Sequence, residues 1–78
     1  MSKLSKMPKH TGALIALVNA MSRDVYISEE TQLFIVSTLS SEDNVQNFNS
    51  WVSTKISDGK FFATEDEIIK VVNEIINK

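Results

Sequence analysis

No cysteine occurs among the 78 residues, so neither a disulfide nor a thiolate zinc site can brace the fold, and the chain suits a reducing compartment. His10 is the single histidine and lies beside a lysine-containing N-terminal arm, with no cysteine to pair with, which leaves no nucleophilic triad built on histidine. The two glycines, Gly12 and Gly59, stand far apart and form no phosphate-cradling loop. Long apolar runs are missing as well: Leu14 to Val18 is too short and interrupted for a signal peptide or a membrane span. These absences point to a cytoplasmic, non-catalytic protein with no cofactor, no small-molecule substrate and no membrane partner.

Length allows one domain, whose single core is only marginally sufficient without a staple. The net charge of −2 conceals an asymmetry. Lys3, Lys6 and Lys9 are the only charges in the first ten residues, whereas five cations face ten acids from Thr11 onward. A flexible basic arm over residues 1–10 therefore precedes an acidic helical domain over 11–78.

Along the domain, Thr11 caps a helix to about Arg23, with Leu14, Ile15, Leu17, Val18 and Met21 on one face. Val25 to Ile27 has high β propensity. Ser28, Glu29 and Glu30 start a second helix, which is expected to carry Leu33 to Val36 and Leu39 inward. Ser40 to Asn44 is a polar break. A third helix follows with Val45, Phe48, Trp51, Val52 and Ile56 as its stripe, and Asp58-Gly59 ends it. Residues 60–62 form a second extended piece.

The final helix carries the most information. Thr64 and Glu67 have the spacing of a capping box, and Glu65, Asp66 and Glu67 place negative charge on the positive end of the helix dipole. Asp66, Lys70, Glu74 and Lys78 stand four apart on the polar face. Ile68, Val71, Val72 and Ile75 make one apolar seam, and Ile69, Val72 and Ile76 a second beside it. One stripe suffices for a surface helix. The second seam is more apolar surface than a small monomer needs.

A weak repeat relates the halves. Displaced by 35 residues, YISEETQLF aligns with FFATEDEII, so each half reads helix, short extended segment, helix. The expected fold is mainly α, a compact four-helix domain with at most a minimal two-stranded ribbon, formed if 25–27 pairs with 60–62.

Acids at 29/30, 42/43 and 65–67 all fall at helix starts, where capping accounts for them, and neither loop has calcium-ligand spacing, so no metal is expected. Two functional readings remain. The first is a non-catalytic module, a regulator or inhibitor that binds another protein and self-associates through its C-terminal helix. Adjacent residues of an extended segment face opposite ways. One of Phe61 and Phe62 must therefore leave the core, beside the seam of Ile69, Val72 and Ile76. The alternative is a winged-helix-like DNA-binding regulator. Its third helix would present Gln46, Asn47, Asn49, Ser50 and Lys55, assisted by Lys3, Lys6 and Lys9. A wing is not expected, since Phe61 and Phe62 lead directly into a helix.

Overall fold

The computed structural model describes residues 9–77, with side chains from Thr11 onward. Lys3, Lys6 and most of the expected basic arm lie outside the described residues, as do the Lys9 and Lys78 side chains. Four helices and one small hairpin follow in order: α1 Lys9–Ser22, α2 Glu29–Thr38, α3 Glu42–Thr54, β1 Ile56–Ser57, β2 Lys60–Phe61 and α4 Glu65–Ile76. The expected mainly α class with a minimal ribbon is the class observed.

Caps set three of the four helix starts. The Ser28 and Ser41 hydroxyls accept from the amides of Thr31 and Asn44 at 3.3 and 3.2 Å. At α4 the capping box closes in both directions. The Thr64 amide donates to Glu67 Oε1 at 2.9 Å, and the Glu67 amide donates to Thr64 Oγ1 at 3.2 Å. α1 differs from expectation, because it begins at Lys9 and Thr11 lies inside it.

The helices pack as a ring in which α1 meets α2 and α3, and α4 meets the same two from the other side. Leu14, Val18 and Met21 of α1, Ile35 of α2 with Leu39 after it, Phe48 and Val52 of α3, and Ile68 and Val72 of α4 fill the centre. Phe48 is fully buried and stacks on Trp51 at 5.9 Å between centroids, and Trp51 meets Phe61 edge-on at 6.0 Å. Two expected core positions turn outward. Leu33 is 69% exposed and Ile15 38%, because a helix in a four-membered ring buries one stripe and four consecutive apolar residues exceed it.

The ribbon forms, but with other partners than expected. β1 pairs antiparallel with β2, Ile56 opposite Phe61 and Ser57 opposite Lys60. Segment 25–27 takes no part. The cause is the turn: Asp58 and Gly59 have φ of 56° and 79°, the pair of positive values that a type I′ hairpin turn requires. Asp58-Gly59 therefore reverses the chain as well as following a helix. It also removes Ile56 from the α3 stripe, and Ile56 is half exposed on β1.

The repeat holds for the order of elements and fails in register. Displacement by 35 superposes Tyr26, which is 80% exposed, on Phe61, which is buried. The helix caps Ser28 and Thr64 lie 36 apart instead.

Candidate functional site

α4 presents two faces built from the same residue type. Ile68 and Ile75 are buried and Val72 has no exposed surface, so the seam facing α2 and α3 is core. One residue further round, Ile69 is half buried and Ile76 is 39% exposed. The expected second seam is therefore split: Val72 belongs to the interior, and Asn73 stands exposed between Ile69 and Ile76. Ile69 lines an open groove of about 350 Å³ between α2 and α4, together with Phe34, Thr31, Glu30 and Asn73.

The adjacent phenylalanines separate as extended backbone requires. Phe61 is 4% exposed and joins the Trp51 cluster, whereas Phe62 is 59% exposed. The Phe62 amide donates to the Lys55 carbonyl at 2.8 Å, which holds the residue in line with the hairpin. Of the five residues expected at a protein interface, Phe62, Ile69 and Ile76 reach the surface, and Phe61 and Val72 do not.

What fixes this region is a pair of long-range carboxylate ties. Asp24 Oδ2 accepts from the Phe61 amide at 3.0 Å, and Glu65 Oε2 accepts from the Ser28 amide at 2.9 Å and the Ser28 hydroxyl at 2.8 Å. Each half of the chain thus satisfies a backbone donor in the other, a donor that would be costly to leave unpaired in a part-buried position. Both ties span 37 residues, so segments 24–28 and 61–65 run side by side in the same direction. The Thr31 hydroxyl, then the Ser28 amide and hydroxyl, hold the Glu65 carboxyl below its ordinary value of 4.5, against a smaller opposing effect of desolvation. Capping at its own helix start does not exhaust the role of Glu65. Its partners are distant in sequence, and nothing local announces them.

The ties leave a second aromatic outside. Ile27 and Phe61 turn inward from the two tied segments, while Tyr26 and Phe62 turn outward. The same alternation argument that separates Phe61 from Phe62 applies to Tyr26 and Ile27, and would have found Tyr26 in the sequence.

The nucleic-acid set is divided. Gln46 and Asn49 border a groove between α3 and α1, which Glu42 also lines, and Gln46 Nε2 lies 3.5 Å from Glu42 Oε2. Asn47 and Ser50 are exposed, one residue further along, and do not line that groove. Lys55 Nζ is 3.9 Å from Glu67 and 5.9 Å from the Trp51 ring centroid. That contact is the only ion pair among the described residues, so Asp66–Lys70 and Lys70–Glu74 do not close at their helical spacing. Contrary to expectation, a hairpin of wing position does follow α3, with two residues in each strand.

Among the described residues no three His, Asp or Glu side chains converge to hold a metal ion. No described helix is long and apolar enough to cross a membrane. Compared with protein-family models, curated proteins and solved structures, the chain matches none.

Proposed function

We propose that this chain is a non-catalytic, cytoplasmic protein-interaction module, a small regulator or inhibitor that binds another protein and associates with itself through the outer side of α4 and the adjoining Phe62. The observation that carries the reading is Phe62: a phenylalanine 59% exposed just before the start of α4, on backbone held by hairpin and carboxylate bonds. Rigid display of a large apolar ring lowers the ordering cost of association, and aromatic residues are enriched where proteins meet. The test compares the wild-type chain with a Phe62→Ser, Ile76→Glu double variant in affinity capture from the host. A partner retained by the wild type and lost by a folded double variant supports the reading. Equal retention removes this face from it.

A second reading rests on one specific observation, the hairpin directly after α3. Helix, helix, three-residue turn, helix and hairpin is the element order of a winged helix. Its weakness is charge, because α3 opens with Glu42 and Asp43, carries no cation of its own, and the Lys55 that caps its end faces Glu67. Phosphate contacts are strongest at low salt. Retention of the full chain on duplex DNA at about 50 mM salt would favour this reading, and failure to bind there would dismiss it.

A further inference from the structure

The α1–α3 groove is a different feature from the α4 face, and its chemistry is more specific. It encloses about 540 Å³ and exists because α1 turns Ala13 and Ala16 toward α3 where larger side chains would fill the space. Leu17 and Val45 complete an apolar floor. That volume lies within the range of sites that hold a few side chains of a ligand. The rim is polar: Glu42, Gln46 and Asn49 line it, and among the described residues no cation does. Asp43 adds a second exposed acid in the same turn of α3. Glu42 has no ion-pair partner among the described residues, and its one neighbour is a neutral amide at 3.5 Å.

An apolar floor edged by a carboxylate with no ion-pair partner among the described residues suits a large apolar side chain next to a positive one. We infer that the α1–α3 groove is a docking site for a basic amphipathic peptide segment of a partner protein. One or two Leu- or Met-sized side chains of that segment sit over Ala13 and Ala16, and a Lys or Arg lies against Glu42. The Gln46 and Asn49 amides supply donors and acceptors to the bound backbone or its polar side chains. Association by complementary charge of this kind is salt-sensitive. The α1–α3 site is independent of the α4 face, so either can fail without the other.

The test titrates a synthetic 14-residue peptide, with Leu at helical i, i+3, i+4 and i+7 positions and Lys elsewhere, into isotopically labelled full-length protein. A sequence-matched peptide with Glu in place of Lys is the control. The expected result is amide shifts concentrated at Ala13, Ala16, Val45 and Gln46. Affinity should fall by roughly tenfold in Glu42→Lys, which sets like charge against the peptide at the rim, and be lost in Ala16→Glu. Phe62→Ser should leave it unchanged. Circular dichroism establishes that each variant is folded, and Glu42→Gln, which keeps the side-chain shape, gives a smaller loss that also diminishes at high salt. Four results would overturn the proposal: no shifts up to millimolar peptide, equal binding of the acidic control, shifts centred elsewhere, or a groove already filled by residues 1–8 of the same chain.

Discussion

Ile68 and Ile69 are neighbours of the same type on the same helix, and they meet different fates. Ile68 has no exposed surface, and Ile69 stands half out in a groove beside Phe34. The same division recurs between Ile75 and Ile76, and between Phe61 and Phe62. In each pair one step along the chain, about 100° around a helix or a reversal along an extended segment, separates interior from surface. Apolar content alone therefore says little about stability in this protein. Position within the period decides which residues hold the fold and which stay at the surface.

The contrast breaks most visibly at Ile68. A charge at a fully buried, unpaired position costs several kcal/mol, comparable to the total stability of about 4–12 kcal/mol for a domain of this size. Ile68→Glu is expected to leave the chain unfolded by circular dichroism at 25 °C. The phenylalanine pair gives the next largest effect. Phe61→Ala should lower unfolding free energy by about 3–5 kcal/mol in urea denaturation, whereas Phe62→Ala should change it by about 0.5 kcal/mol or less.

Smaller again is the effect of the tie that seats α4 against the start of α2. A carboxyl held below its ordinary value contributes stability that is fully present above the unfolded value, here 4.5, and lost as pH falls through the lower folded value. Thermal midpoints should therefore fall as pH drops below 4.5, and Glu65→Gln should flatten that part of the profile while lowering the midpoint at pH 7. An unchanged acid limb in Glu65→Gln would show that the tie is not linked to folding. The smallest stability effects belong to the outer face. Ile69→Glu and Ile76→Glu should stay folded, with losses of about 1 kcal/mol or less. If both unfold as Ile68→Glu does, the outer seam is core and the contrast disappears.

Much of this architecture is legible locally. The capping box of Thr64 and Glu67 and the serine cap of α2 each depend on residues three apart, and each forms as read, whereas the polar break expected at 40–44 is shorter because Ser41 caps α3 and Glu42 to Asn44 lie within it. The separation of Phe61 from Phe62 follows from extended geometry in the same way. What escaped a local reading depends on tertiary neighbours. Leu33 and Ile15 carry the pattern of inward residues, yet the ring of four helices has no place for them. Asp58-Gly59 is a helix-stop signal and a hairpin signal at once, and the pairing of Ile56 with Phe61 decides between them. The ties of Asp24 to Phe61 and Glu65 to Ser28 join residues 37 apart, a relation no window along the chain contains. Of the candidate interface, Ile69 and Ile76 were legible as apolar excess and the split of Phe61 from Phe62 as alternation, whereas the burial of Val72, which belongs to both expected seams, was settled by packing.

The central claim is that the outer side of α4 and Phe62 join one chain to another, and sedimentation equilibrium over a hundredfold concentration range tests it most directly. The account predicts that the wild-type chain associates with rising concentration and that the folded Phe62→Ser, Ile76→Glu variant remains a monomer throughout. A wild-type chain that is monomeric at every concentration, or a double variant that associates equally well, would contradict it.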